Sequence, residues 1–307
     1  MSERIDLNIM SNILLKGIYP ALITPLNSDG TVKKESVGKI MEHNFNNGAR
    51  GYYICGTTGE GPVLTLAERM KTAQAVVEAN AGRGTIINHI GAASPFDALE
   101  LARHSGEIGC NAISSVVPNF FYKYNDDEIV EYYKRIADAS GLPVIAYAQS
   151  MLAGADVVSF MDKLMKVDGV IGVKFTLTDF YSLGRIKALN GGDINVINGP
   201  DEMLICGLSM GADAGIGSTY NVMCAQYCAL YDAFTHGDID SARAIQKKIN
   251  RVVEIIIRHG VIRTIKFILS EQGMDAGTII FPGTPLSEAE KTQIRAELAA
   301  VDFYNQY

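Results

Sequence analysis

Lys174 says more about chemistry than any other residue of this sequence. It stands in the run Gly169-Val-Ile-Gly-Val-Lys-Phe-Thr176, which reads as a β-strand. Side chains alternate along a strand, so Lys174 and Thr176 share one face and Val173 and Phe175 the other. With the apolar pair packed under helices, the lysine points to the opposite, enclosed side. Partial desolvation there favours the neutral amine, which attacks a carbonyl carbon to form an imine. The competing reading is a lysine that snorkels from a strand end or pairs with a buried carboxylate. Tyr147 closes the apolar run Pro143-Val-Ile-Ala-Tyr147, which reads as the preceding strand. A phenol beside such a lysine can move protons to and from the carbinolamine. Alone, it would serve equally well as a core tyrosine bonded to a carbonyl.

Three turns offer binding groups. Gly56-Thr-Thr-Gly-Glu60 brackets two hydroxyls with glycines, and a tight turn of that kind can converge its backbone N–H groups on a small anion. No Gly-Lys-Ser/Thr follows, so Thr57 and Thr58 suit a carboxylate better than a nucleotide. Asn198-Gly-Pro-Asp-Glu202 places Asp201 and Glu202 at a helix start, where the helix dipole favours them without any ligand and where they could also accept bonds from a polyhydroxylated substrate. Gly215-Ile-Gly-Ser-Thr219 lets a ligand approach backbone near Ser218. The five histidines and five cysteines show no spacing that holds a metal. A lysine, a tyrosine, a carboxylate nest and hydroxyl acceptors together suggest carbon–carbon chemistry through an imine, with no cofactor.

The elements that position these residues recur in a pattern. β-branched runs at 17–25, 50–56, 85–91, 112–118, 143–148, 169–176, 194–199 and 213–218 alternate with helical stretches. Thr65 with Glu68, and Asn125 with Glu128, have capping-box spacing at helix starts. Eight strand–helix alternations predict a parallel sheet closed as a (β/α)8 barrel, and the active site of such a barrel lies at the C-terminal strand ends. The barrel is expected over 1–220, with 221–307 as a helical extension packed on its side or building a subunit contact. No Gly-x-Gly-x-x-Gly follows the first strand, which argues against a dinucleotide fold.

Composition sets outer limits. The 307 residues are 48% hydrophobic and 20% charged, as expected of a globular chain. A net charge of −7 leaves no basic field for nucleic acid. The N-terminus does not read as a signal peptide, and the uncharged stretch from Ala214 to Tyr231 is too polar to span a membrane. The expectation is a cytoplasmic protein.

The chain resembles the N-acetylneuraminate lyase/dihydrodipicolinate synthase family of pyruvate-dependent class I aldolases. The resemblance rests on Lys16-Gly-Ile-Tyr-Pro-Ala-Leu-Ile-Thr-Pro25, Gly56-Thr-Thr-Gly-Glu60, His89-Ile-Gly91, Ser114 to Pro118, Gly172-Val-Lys-Phe-Thr176, Asp201-Glu202 and Gly215-Ile-Gly-Ser-Thr-Tyr-Asn221, in order and spacing together. It implies a (β/α)8 TIM barrel with a C-terminal helical extension, assembled as a homotetramer. It further implies that Lys174 forms the Schiff base with pyruvate, that Tyr147 relays protons, and that Thr57 and Thr58 hold the pyruvate carboxylate. Residues matching Thr176, Gly199, Asp201, Glu202 and Ser218 would contact the sugar-derived part of the substrate.

The Gly-Val-Lys-Phe-Thr string and the Asp-Glu pair are similar to the lyase branch. The synthase branch carries an arginine where this chain has Leu152, which disfavours a dicarboxylate product. Tyr147-Ala-Gln-Ser150 replaces the usual Tyr-Asn-x-Pro, and Phe120 replaces a tyrosine after the strand-4 proline. The implied activity is cleavage of a 2-keto acid sugar such as N-acetylneuraminate to pyruvate and N-acetylmannosamine. The alternatives are another pyruvate-dependent aldolase, a dehydratase or a dihydrodipicolinate synthase, and, in a different class, a non-catalytic keto-acid-binding barrel.

Overall fold

The computed structural model describes residues 15–118, 122–149 and 156–306. The elements alternate as the sequence predicts. They run β1 (Gly17–Pro20), α1 (Lys34–Asn46), β2 (Gly51–Ile54), α2 (Leu66–Asn80), β3 (Thr85–His89), α3 (Pro95–Glu107), β4 (Ala112–Val116) and α4 (Asp126–Ser140). Then follow β5 (Val144–Ala148), α5 (Val157–Leu164), β6 (Val170–Phe175), α6 (Phe180–Lys187), β7 (Asn195–Asn198), α7 (Leu204–Ser209), β8 (Ala214–Gly217) and α8 (Tyr220–Thr235). The chain continues through α9 (Ile239–His259), α10 (Val261–Glu271), α11 (Glu288–Ala300) and α12 (Phe303–Gln306).

All strand pairs are parallel, in the order β1-β8-β7-β6-β5-β4-β3-β2. Bonds from Arg50 N–H to the Ile18 carbonyl (2.9 Å) and from Leu22 N–H to the Tyr53 carbonyl (2.8 Å) join β2 back to β1. The sheet is therefore a closed (β/α)8 barrel, as expected. Each strand is shorter than its apolar run, and in every run but that of β5 the last residues leave the ladder to form the rim loops.

Two faces of the sheet make two cores. Tyr19, Tyr53, Ile87, Val116, Ile145, Tyr147, Ile197 and Ile216 fill the barrel, with Leu15 beneath them. Leu15 is fixed by Asn195, whose side chain bonds both its N–H and its carbonyl at 3.1 Å. Outside, Val144, Ala146, Val173, Phe175 and Val196 pack under helices. Val173 and Phe175 thus lie where the sequence places them, opposite Lys174.

That placement depends on a feature the sequence does not announce. Val144 pairs with Val170, but Ile145 pairs with Gly172, so Ile171 is an extra residue on β6. Val170 faces the helices and Ile171 the barrel. Strict alternation from there would turn Lys174 outward. The one-residue bulge reverses the faces and turns Lys174 inward beside Tyr147, its partner in the ladder.

Capping explains the helix starts. Asn125 and Glu128 form a reciprocal capping box, as do Ser287 and Glu290. At α2 only half the expected box forms. The Thr65 hydroxyl accepts the Glu68 N–H, while the Glu68 carboxylate turns instead to Val32 N–H and Lys71.

Helix α8 lies against β1, anchored by Asn221, which donates to the Ala21 carbonyl at 2.6 Å and accepts from Ile23 N–H at 3.2 Å. Beyond it, α9 reaches the barrel rim, where Gln246 donates to the Asp201 carbonyl (3.2 Å) and Asn250 to that of Glu202 (3.0 Å). The extension thus touches the strand-end loops as well as the barrel side. Among the described residues, no helix is long and apolar enough to cross a membrane.

The bulge carries a prediction. At Gly172 an added Cβ would stand 2.0 Å from the Asn195 carbonyl oxygen. Gly172→Ala should force β6 from β7 and cost roughly 1–3 kcal/mol in urea unfolding. An unchanged midpoint would show that the bulge tolerates a side chain.

Candidate active site

Lys174 is 6% exposed and lies between two aromatic faces. Its Nζ stands 4.2 Å from the Tyr147 ring centroid and 4.4 Å from that of Tyr53. Both rings are electron-rich platforms for the ammonium form. The rings meet edge-on at 6.1 Å, and His89 packs edge-on against Tyr147 at 6.0 Å. Strand alternation brings the three aromatic residues together, since each faces into the barrel from its own strand.

The Tyr53 hydroxyl donates to Ser114 Oγ at 3.2 Å. Burial pushes its pKa well above the ordinary phenol value, so it remains protonated at neutral pH. His89 Nδ1 stands 3.3 Å from the Cys55 carbonyl oxygen. Burial, with the nearby positive charges of Arg69 and Lys174, lowers its pKa to about 3 and keeps it neutral. A neutral imidazole adds no second charge beside the lysine.

A cavity of about 280 Å³ opens above Lys174. Tyr147, Thr57, Thr58, Thr176, Gly199 and Ser218 share its wall with Lys174. Thr58 and Ser218 hydroxyls bond to each other at 2.7 Å, joining the second and eighth strand ends. Among the described residues, the Thr57 and Thr58 amides donate to no backbone or side-chain acceptor. They remain available to an anion. Thr176 Oγ1 is buried without a partner, and an added Cβ at Gly199 would stand 1.9 Å from it. Glycine at that position leaves the hydroxyl the room it occupies.

Asp201 and Glu202 do not join this wall. Asp201 is buried, and its Oδ2 accepts both the N–H and the hydroxyl of Thr219 at 2.7 Å. Gly217 admits this approach, because a Cβ there would lie 2.2 Å from Asp201 Oδ1. Desolvation raises the carboxyl pKa from 3.8 to about 6, while the Thr219 bonds pull it down. Glu202 is exposed beside it.

Sequence reasoning missed several contributors. Tyr53 was open to detection, because β2 obeys the same alternation that orients Lys174. Gln149 lines the cavity just past Tyr147, within the departure Tyr147-Ala-Gln-Ser150. Val261 and Ile262 of α10 also line it, and no local signal in the tail foretells that. Phe120, Ser150 and Leu152 lie outside the described residues. Among the described residues, no group of three or more His, Cys, Asp or Glu side chains could hold a metal ion.

Comparison with known proteins agrees with this geometry. Residues 14–301 match the sequence model of the dihydrodipicolinate synthetase family. The N-acetylneuraminate lyase of Rhizobium meliloti (strain 1021) is 34% identical over 287 residues, which cover 94% of this chain and 95% of that protein. The solved Proteus mirabilis N-acetylneuraminate lyase superposes with a TM-score of 0.89 at 31% identity, over 94% of this chain and 99% of the other. A catalytic-lysine mutant of the Ruminococcus gnavus sialic acid aldolase superposes equally well, with a TM-score of 0.89 at 25% identity over 95% of this chain and 97% of that one.

The raised Asp201 pKa has a testable consequence. The folded state holds this proton more tightly than the unfolded chain, so its stabilising contribution is complete below pH 3.8 and is lost as pH climbs through about 6. Asp201→Asn keeps an acceptor for Thr219 but carries no charge. Its stability relative to the parent should rise by on the order of 2–3 kcal/mol between about pH 4 and about pH 8 in urea titrations. A difference independent of pH would contradict this.

Proposed function

The chain belongs to the dihydrodipicolinate synthetase family, and from that premise we propose that it is a class I aldolase that cleaves N-acetylneuraminate to pyruvate and N-acetylmannosamine. The observation that carries the reading is the buried Lys174 amine at the floor of a strand-end cavity, with Tyr147 against it and the free Thr57 and Thr58 amides on the wall. The similarity to proteins named N-acetylneuraminate lyase supports the choice of substrate.

In this reading the substrate carboxylate sits on the Thr57 and Thr58 amides, which puts the C2 ketone over Lys174. The neutral amine adds to C2, and water leaves to give a protonated imine. The C3–C4 bonding pair then moves into a C2–C3 double bond, with the iminium nitrogen as electron sink. At the same time the C4 hydroxyl loses its proton and becomes the aldehyde. Tyr147 takes that proton, directly or through the substrate carboxylate. Protonation at C3 and hydrolysis of the imine release pyruvate and restore the lysine. The reaction calls for no cofactor, since the imine itself supplies the electron sink.

Thr176, Gly199 and Ser218 face the aldehyde half of the substrate. Asp201 would act from beneath by shaping the loop through Thr219, and Glu202 stands at the outer edge. We further take the enzyme to act in the cytoplasm and to be a homotetramer; sedimentation of the purified chain would test the second of these.

Pyruvate release should be observed with N-acetylneuraminate and be abolished in Lys174→Met. Tyr147→Phe should lower kcat by roughly 10²–10⁴-fold. Condensation of pyruvate with aspartate semialdehyde, in the absence of N-acetylneuraminate cleavage, would assign the chain to the synthase reaction instead.

A further inference from the structure

The Gly56-Thr-Thr-Gly-Glu60 turn ends on a carboxylate that no step above uses. Glu60 and Lys266 are each 3% exposed. Lys266 Nζ donates to Glu60 Oε1 at 2.6 Å and to the Thr278 carbonyl. The other carboxylate oxygen, Oε2, accepts the Ile280 N–H at 2.7 Å. One side chain of the barrel rim is thus saturated by groups from the C-terminal extension, more than 200 residues away in sequence.

The turn has little freedom of its own. Cys55 and Glu60 lie in the left-handed region at φ 56° and 57°, a strained setting for residues with a side chain. Gly61 packs so tightly that an added Cβ would stand 1.8 Å from the Cys55 carbonyl oxygen. From the barrel side, Thr24 Oγ1 donates to the Gly59 carbonyl at 2.7 Å. The Thr57 and Thr58 amides hang between these two fixings.

A buried ion pair is a poor way to gain stability, because desolvation offsets the attraction and a well-packed apolar pair serves as well. What the pair does supply is direction. Lys266 is fixed on α10, one helical turn from Ile262, and Ile262 itself lines the cavity above Lys174.

We propose that Glu60 and Lys266 are a positioning pair that aims the Thr57 and Thr58 amides at the substrate carboxylate, so that the C-terminal extension sets the affinity of the pyruvate half of the site. This inference rests on the imine reading of Lys174. Neither residue touches substrate; both act through the turn.

Borohydride trapping of pyruvate on the full-length chain tests it without assuming any aldehyde partner. The yield of reduced adduct is measured against pyruvate concentration for the parent, Lys266→Met, Lys266→Arg and the Glu60→Gln/Lys266→Met pair. Lys266→Met should raise the half-saturating pyruvate concentration by roughly ten- to a hundredfold, with the maximal trapping rate little changed. Lys266→Arg, which keeps the charge, should recover part of the loss. The double variant leaves no lone buried charge, so it should fold if Lys266→Met does not, and it should show the same weakened saturation. Parent-like half-saturation in either Lys266→Met or the double variant overturns the inference, as does a fall in maximal rate at unchanged half-saturation. Failure of the parent to trap pyruvate would instead sink the imine reading itself.

Discussion

Between Val170 and Gly172 the pairing of β6 with β5 slips by one residue, and every side chain beyond Ile171 changes face. The slip puts Lys174 inside the barrel, level with Tyr147, and returns Val173 and Phe175 to the helices. The rest of the site is arranged around that amine. Tyr53 and Tyr147 present ring faces to it, His89 packs edge-on against Tyr147, and the cavity opens beside Lys174. Gly172 makes the slip sterically possible, since the space a side chain would need is taken by the neighbouring strand.

The charges around the amine are few and controlled. His89 is held neutral by burial, and Tyr53 is held protonated. The Asp201 carboxylate is occupied by Thr219 and lies outside the cavity wall. Lys266, the other deeply buried lysine, is satisfied by Glu60. Among the described residues lining the cavity, Lys174 is the one lysine or arginine, and the free Thr57 and Thr58 amides add a site for negative charge beside it. That asymmetry suits a keto acid, whose carboxylate and ketone are adjacent.

Much of this was legible in the sequence because two periodicities govern a (β/α)8 barrel. Eight apolar runs with helical spacers predicted the sheet, and alternation predicted the opposed faces of Lys174 and Phe175. The same alternation, extended to β2, would have found Tyr53. What stayed hidden depends on contacts distant in sequence. The bulge shows only in pairing with β5. The commitment of Asp201 to Thr219 follows from the depth of its loop, although an Asp-Glu pair after a strand reads equally well as a substrate contact. The reach of α10 over the rim, with Ile262 on the cavity and Lys266 on Glu60, is a matter of tertiary packing, for which the tail sequence offers only helical periodicity.

The proposed mechanism has the Lys174 amine, and no other lysine, meet the carbonyl of a keto acid. Its most direct test is reduction with borohydride at saturating pyruvate, followed by peptide mapping of the covalent adduct by mass spectrometry. One N-(1-carboxyethyl) adduct is expected, on Lys174, absent from the Lys174→Met chain. An adduct located on another lysine, or none at all, would contradict it.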